Sequence, residues 1–260
     1  MRVLFVGDIV GEPGRTVFTK TAALVRAKGE ADLIIANAEN IAGGSGITEK
    51  IAREMFAAGC DVITLGDHVW DKRDVFQYLN DEARILRPAN FPAAAPGHGS
   101  CVITTSGGIK VGVIALLGRT FIKYLTDCPF RALDRELQKM AADGVKVIIV
   151  DMHAEATSEK VALGLYADGR ASAVVGTHTH VQTADEKILP RGTAYLTDAG
   201  MTGPYDSVIG TAKELIIERY LTGLPNKFEV AKGLGTLCGA LIDIDDATGQ
   251  ARAITRVQRS

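Results

Sequence analysis

The chain has little cysteine and no long hydrophobic run. It carries four cysteines, at Cys60, Cys101, Cys128 and Cys238, and none forms a CxxC pair. Such wide spacing indicates reduced, mostly buried thiols and predicts a cytoplasmic protein without a disulfide framework. No apolar run approaches the length of a membrane span, and the apolar stretch over 3–6 is too short for a signal peptide core. We therefore expect no membrane partner.

The sequence also lacks a strong excess of charge of either sign. The formal net charge is −2 and the pI is about 6.2, so the chain has no basic surface suited to long nucleic acid. Small phosphorylated substrates remain open, because they need only a local positive site, which metal ions can supply. The sequence leaves open whether the chain forms a homo-oligomer.

Length and pattern favour one domain over residues 1–260. Its 47% hydrophobic content can fill a substantial core without disulfides, and no repeat, low-complexity tract or linker interrupts it. Apolar runs typical of buried strands lie at 3–6, 32–36, 61–65, 145–150, 173–175 and 193–196. Helices are predicted over 15–28, 48–58, 71–79, 131–142 and 157–166. Hairpins are predicted at 101–117 and 237–257.

Two helix starts carry specific capping predictions. Asp71 is the expected N-cap of the helix over 71–79. Thr211 and Glu214 fit a capping box ahead of the apolar run at 215–217. The alternation of strands and helices argues for an α/β fold with a mixed sheet, or with two packed sheets flanked by helices. Ligands in open α/β sheets bind beyond the carboxyl ends of the strands.

Polar metal-ligating residues follow the predicted strands. Four of the five histidines lie in Gly66-Asp67-His68, Asp151-Met152-His153 and Gly176-Thr177-His178-Thr179-His180, and only His98 lies elsewhere. Asp8 and Glu39 follow two further apolar runs. Imidazole and carboxylate suit a pair of first-row dications that share one carboxylate and activate a water. His178 and His180 are two residues apart, so on an extended segment both would face one side and could serve adjacent metals.

Each of these residues also has a simpler interpretation. An aspartate after a strand, such as Asp8, is often a helix N-cap or turn residue. A single histidine such as His153 is more often a satisfied core or surface residue. The conjunction favours the metal site, because random placement would seldom bring four of five histidines to strand ends.

The motifs resemble those of the calcineurin-like metallophosphoesterase superfamily, and within it the bacterial YmdB-type branch, which is similar to 2′,3′-cyclic-nucleotide 2′-phosphodiesterases. The resemblance covers nearly the whole chain in order. Its pieces are the segments at 5–8, 38–44, 64–71, 116–119, 151–160, 175–181 and 197–204. It implies a β-sandwich of two mixed sheets flanked by helices, in αββα layers.

The resemblance also implies the roles of the site residues. Two metal ions, iron or manganese or both, would be bound with Glu39 as the bridging ligand. The first would be held by Asp8, Glu39, Asn40 and His180, and the second by Glu39, Asp67, His153 and His178. A bridging hydroxide would attack phosphorus in line, and His68 would stabilise the phosphoryl oxygens or protonate the leaving alkoxide.

The sequence departs from the wider superfamily at two positions. The first motif usually reads Asp-x-His, whereas here it is Asp8-Ile9-Val10, and Asn40 is the expected replacement ligand. The third motif usually reads Gly-Asn-His, whereas here Asp67 places an anion among the ligands. This extra negative charge leads us to the hypothesis of an Fe(III)–M(II) pair.

A metal-dependent phosphodiesterase acting on small cyclic nucleotides is the first functional prediction. A phosphomonoesterase or a broad-specificity phosphodiesterase is the enzymatic alternative. A regulatory RNA-turnover scaffold with a vestigial metal site, or a metal-storage protein, is the alternative from another class. The complete ligand set together with His68 argues against the last two, because only chemistry requires His68.

Overall fold

A computed structural model describes residues 1–260 and contains thirteen strands and six helices. The strands, numbered β1 to β13 in chain order, are Arg2–Val6, Leu33–Asn37, Val62–Thr64, Ile85–Leu86, Ser100–Thr104, Lys110–Leu117, Val147–His153, Ala173–Thr177, Lys187–Ile188, Ala194–Leu196, Gly203–Pro204, Gly235–Ile244 and Ala251–Arg259. The helices, numbered α1 to α6, are Gly11–Ala27, Glu49–Ala57, Val75–Asp81, Pro129–Ala142, Thr157–Ala167 and Lys213–Thr222.

The strands form two mixed sheets. The first has the order β11-β12-β1-β2-β3-β4, with β13 paired to β12, and its strands β1 to β4 run parallel. The second has the order β5-β6-β7-β8-β10-β9, in which β6, β7, β8 and β10 run parallel. The predicted hairpins are confirmed as the antiparallel pairs β5–β6 and β12–β13.

The two sheets pack face to face, and helices cover their outer faces. In β1, Val3 and Phe5 enter a core shared with the second sheet, whereas Leu4 and Val6 enter the core beneath α1. Successive side chains of a strand point to opposite faces, so a strand that is apolar throughout must be covered on both sides. Helices α4 and α5 cover the second sheet through a third core. The predicted αββα layers are confirmed.

Both capping predictions were wrong. Helix α3 begins at Val75, and Asp71 accepts a hydrogen bond from His68 Nδ1 at 2.8 Å. Helix α6 has Ala212 at its N-cap without a side-chain hydrogen bond, because Thr211 forms bridges with Val208 and Val230. In both places contacts outside the helix engage the residue that the local sequence offers as a cap. All four cysteines are free, and none of the helices combines the length and apolar character needed to cross a membrane.

Candidate metal centre

The predicted ligands meet at one edge of the sandwich, where parallel strands of both sheets end. Asp8, Glu39 and Asp67 follow β1, β2 and β3 of the first sheet, and the loop carrying Asn40 continues from β2. His153 is the last residue of β7, and His178 and His180 follow β8 of the second sheet. The topology thus brings together residues separated by up to 172 positions in the sequence.

One group contains Glu39, Asp67, His153 and His178, whose ligand atoms all lie within 4.8 Å of one another. His153 Nε2 lies 3.1 Å from Glu39 Oε1 and 3.2 Å from Asp67 Oδ1. His178 Nδ1 lies 3.0 Å from His153 Nε2 and 3.5 Å from Asp67 Oδ1. Gly66 gives this group its room, because a Cβ there would clash with Glu39 Oε2 and with the His153 ring.

A second group, of Asp8, Asn40 and His180, lies beside the first. His180 Nε2 lies 3.3 Å from Asn40 Oδ1 and 3.9 Å from Asp8 Oδ1, and Asp8 Oδ1 is also 3.8 Å from His153 Nδ1. Asn40 Nδ2 donates to the Gly44 carbonyl at 3.2 Å, which turns its oxygen towards His180. Asp8 Oδ1 is buried without any hydrogen-bond partner. A buried carboxylate oxygen is seldom left unpaired, so this atom points to a cation.

Hydrogen bonds behind the histidines fix which nitrogen faces the site. Thr177 Oγ1 donates to Asp151 Oδ1 at 2.7 Å and accepts from His153 Nδ1 at 2.9 Å. His180 Nδ1 donates to the Ile209 carbonyl at 2.9 Å. In each ring the second nitrogen is therefore the one that faces the ligand groups, which is how metal-binding histidines are oriented.

His178 is oriented by an acidic residue. Its Nε2 lies 3.0 Å from Glu155 Oε2, so Nδ1 is the nitrogen that faces Asp67 and His153. His153 Nε2 and His178 Nδ1 therefore converge with the carboxylate oxygens of Glu39 and Asp67. Without metal, protons on the imidazoles balance these carboxylates, and a bound cation would replace those protons.

The electrostatics of the cluster favour positive charge at its centre. Burial alone would lower the pKa of His153, but the carboxylates of Glu39 and Asp67 raise that pKa well above its ordinary value. Burial would raise the pKa of Asp67, yet hydrogen bonds from His153 and His178 bring it below its usual range. Burial raises the pKa of Asp8 because His180 and His153 compensate only in part. The residues present therefore fit bound metal ions, which would take the place of these protons.

His68 lies at the rim of the cluster. Its backbone N–H donates to Glu39 Oε2 at 3.0 Å, and its Nδ1 lies 2.8 Å from Asp71 Oδ2, which also accepts from Ser45 Oγ. Asp71 therefore orients the His68 ring and leaves Nε2 for a ligand. His98 lies elsewhere in the fold, where Nε2 is 3.3 Å from the Asn80 carbonyl.

Four supporting residues escaped the sequence prediction of the site. Glu155 and Asp151 lie within the segment 151–160 that carries the resemblance, two positions to either side of His153. Lys160 and Asp198 form a buried ion pair beneath the segment 178–180. Asp198 lies within another resembling segment, 197–204, but only the fold shows which residue it contacts.

Comparison with known proteins agrees with this geometry. A profile described as "YmdB-like protein" matches residues 4–257. The chain is 51% identical over 257 residues to the 2′,3′-cyclic-nucleotide 2′-phosphodiesterase of Bacillus subtilis (strain 168), covering 99% of this chain and 96% of the relative. A protein of Thermus thermophilus whose crystal structure is described as that of a hypothetical protein superposes with a TM-score of 0.92 at 41% identity, covering 99% and 98% of the two chains.

Two further structures relate the chain to phosphatases. The crystal structure of a novel phosphatase from Mycoplasma pneumoniae superposes with a TM-score of 0.92 at 34% identity, covering 99% of this chain and 92% of that one. A 5′-nucleotidase precursor from Thermus thermophilus shares only the fold, with a TM-score of 0.59 at 16% identity, and this chain covers 54% of its length. The resemblance found in the motifs is confirmed: the chain belongs to the YmdB-like protein family.

Proposed function

We propose that this protein is a metal-dependent phosphodiesterase that hydrolyses small cyclic nucleotides, 2′,3′-cyclic nucleotides first among them. The observation that carries the proposal is the convergence of Glu39, Asp67, His153 and His178 within 4.8 Å, with His68 at their rim. The Bacillus subtilis relative, 51% identical along nearly the whole chain, bears this activity in its name.

Two metal ions, iron or manganese or both, are proposed as cofactors. Asp8, Glu39, Asn40 and His180 would hold the first, and Glu39, Asp67, His153 and His178 the second. The mixture of imidazole and carboxylate donors suits these metals. When bound, such ions polarise phosphoryl oxygens and lower the pKa of a water that acts as nucleophile.

The residues around the metals supply the rest of the chemistry. Hydrolysis of a 2′,3′-cyclic phosphate at its 2′ ester adds water across the bond between phosphorus and O2′, so O2′ must receive a proton. His68 is the residue proposed to deliver it from Nε2, because Asp71 engages Nδ1. Proton transfer by a positioned side chain typically contributes about 10²–10⁴-fold to the rate.

A phosphomonoesterase or a broader phosphodiesterase is the second candidate, favoured by the phosphatase description of the Mycoplasma pneumoniae structure. A small phosphodiester or nucleotide is the proposed partner, and a net charge of −2 gives no support to long nucleic acid.

A cytoplasmic location is proposed as well. All four cysteines are free, and disulfides are rare in cytoplasmic proteins.

The proposal is tested by assaying purified protein with 2′,3′-cyclic AMP, bis-p-nitrophenyl phosphate and p-nitrophenyl phosphate, with Mn²⁺ or Fe²⁺ added. We expect turnover of the diesters, loss of turnover with a chelator and recovery when metal is returned. A preference for p-nitrophenyl phosphate would favour the phosphomonoesterase. An absence of turnover with all three, in protein shown to hold both metals, would leave the scaffold alternative.

A further inference from the structure

A cleft of about 610 Å³ opens directly beside the proposed metal ligands, which are called the metal cluster below. His68 and His180 line one end of it, and Tyr220 and Phe228 lie among the residues that line the rest. Its volume is within the range of roughly 300–1,000 Å³ typical of small-molecule sites. None of the proposed roles of the cluster uses this space, so its lining calls for a separate explanation.

Two segments that are hydrogen-bonded to each other shape the cleft. The Ala212 N–H donates to the Glu229 carbonyl at 2.9 Å, and the Ala231 N–H donates to the Gly210 carbonyl at 2.9 Å. A bridge between Thr211 and Val230 completes the contact. The segment 208–212 and the segment 228–231 therefore form one connected wall rather than two independent loops.

Large apolar side chains of this wall and of helix α6 are exposed. The exposed fractions are 55% for Ile209, 85% for Tyr220 and 49% for Phe228. The Arg219 guanidinium carbon lies 5.0 Å from the centre of the Phe228 ring, within the distance of a cation–π contact. Exposed aromatic residues beside a polar site are typical of surfaces that bind a flat apolar group.

Ile209 links this wall to the metal cluster. It has a positive φ of 46°, which is rare for a β-branched residue and is tolerated where surrounding contacts impose it. Its carbonyl accepts the 2.9 Å hydrogen bond from His180 Nδ1, while its side chain lines the cleft. One residue thus orients a proposed metal ligand and shapes the adjoining space.

We infer that this cleft binds the nucleobase of the substrate, with Phe228 and Tyr220 as the stacking residues. The inference rests on the proposed function, because the cyclic phosphate must lie at the metal cluster for its base to reach the cleft. A nucleotide presents a phosphate at one end and a flat aromatic base at the other. The metal cluster would bind the phosphate, and the aromatic side chains of Tyr220 and Phe228 would contact the base.

The composition of the wall favours stacking over reading of base identity. The charged side chains that line the cleft here, Arg219 of α6 and Glu229 of the wall, are exposed, and no buried carboxamide or carboxylate lines the cleft. Stacking on an aromatic ring tolerates every base, because each base has a π-face. The site therefore selects for the presence of a base and accepts any of the four.

The test compares Phe228→Ala with the wild-type enzyme on two substrates that share the reacting group. One is 2′,3′-cyclic AMP, and the other is glycerol 1,2-cyclic phosphate, which has no base. We expect the ratio of kcat/KM for the nucleotide to that for the glycerol ester to fall about tenfold. Leu221→Ala removes an apolar side chain that is 81% exposed on the same helix as Tyr220 but does not line the cleft, and it should keep the wild-type ratio.

Binding provides an independent measurement that does not require turnover. Titration calorimetry on the metal-loaded protein would compare 3′-AMP with inorganic phosphate. We expect Phe228→Ala to weaken 3′-AMP about tenfold relative to phosphate. Unchanged ratios in both experiments would overturn the inference while the proposed function stands. Absence of turnover on both esters would instead defeat the proposed function, and the titration alone would then decide whether a base binds here.

Discussion

Lys160 Nζ lies 2.6 Å from Asp198 Oδ2, and their side chains are only 1% and 0% exposed. Asp198 also accepts from Thr179 N–H at 3.1 Å and from Thr179 Oγ1 at 2.6 Å. Thr179 lies between His178 and His180, whose φ values of 97° and 63° are rare for residues with a side chain. The ion pair therefore anchors the segment that presents two of the proposed metal ligands.

Replacing Lys160 should destabilise the protein strongly. Lys160→Met keeps the length of the side chain but leaves Asp198 buried without its counter-charge. Removal of one partner from a buried ion pair typically costs about 3–5 kcal/mol. We expect a loss of that size in the free energy of unfolding, measured by urea denaturation of the metal-free protein.

Lys213→Met is the matched control for this change. Lys213 Nζ also lies 2.6 Å from a carboxylate oxygen, Asp206 Oδ1, but the pair is exposed to solvent. Exposed pairs contribute little, so the urea midpoint should stay at the wild-type value. Equal effects of the two substitutions would contradict a structural role for the buried pair.

His68→Ala should slow hydrolysis without removing metal. His68 contacts the cluster through its backbone N–H to Glu39, which the substitution retains, while the imidazole proposed as proton donor is lost. We expect kcat for 2′,3′-cyclic AMP to fall by about 10²–10⁴-fold. Metal content, measured by plasma mass spectrometry, should stay at the wild-type value. Loss of metal would reassign His68 as a ligand.

Asp71→Asn tests the orientation of His68. The carboxylate accepts from His68 Nδ1 at 2.8 Å, so an amide there can offer its own N–H to that nitrogen and favour the other tautomer. Hydrolysis should slow by about tenfold, less than in His68→Ala, because the imidazole remains. A rate equal to that of the wild type would show that the tautomer of His68 does not matter.

The fold was largely predictable because its strands are short, apolar and separated by amphipathic helices. Strand β1 could be recognised from Val3 to Val6, since a parallel strand covered on both faces needs apolar residues throughout. The start of α1 was placed four residues late, at 15 instead of Gly11. Pro13 and three glycines lie near that end, so the apolar residues there do not recur at helical spacing and the start could not be recognised. Proline is nevertheless well tolerated in a first helical turn.

The convergence of Asp8, Glu39, Asp67 and the three histidines could be predicted because strand ends bring such residues to one edge, whereas Asn40 followed only from the family resemblance. Their supporting residues could not, since each acts across the fold: Lys160 and Asp198 are 38 positions apart, and Asn37 Nδ2 donates at 3.0 Å to Asp151, 114 positions away. The first contact depends on how α5 packs on the second sheet, and the second on how the two sheets pack together. The sequence pattern carries no direct signal for that packing.

Glu136 should make the stability depend on pH in the acid range. Burial would raise the pKa of its carboxyl group, but hydrogen bonds from Lys139, Ser100 and Arg135 outweigh burial and hold that pKa below 4.5. A carboxylate whose pKa is lowered by folding stabilises the protein above its unfolded pKa. The stabilisation is lost as the pH falls through the folded pKa.

The corresponding measurement compares the wild type with Glu136→Gln by urea denaturation between about pH 7 and pH 3. The difference in the free energy of unfolding should be constant near neutral pH and should shrink as the pH falls below 4.5. Glu218→Gln is the matched control, because the Glu218 side chain lies on the exposed side of α6. A difference that stays constant down to about pH 3 would show that the Glu136 charge does not contribute.

Asp67 should set the metal preference of the site. Three carboxylates, from Asp8, Glu39 and Asp67, would leave the two proposed dications with one net positive charge, and Asp67→Asn would add one more. The added charge should weaken metal binding by more than about tenfold, because even partners outside the ligand set typically contribute about 10–100-fold. It should also disfavour Fe(III), the more highly charged ion. Metal titration with Mössbauer or EPR spectroscopy measures both effects, with Asp71→Asn as the control that retains all the proposed ligands. Only divalent metal in active wild-type enzyme would rule out the Fe(III)–M(II) pair.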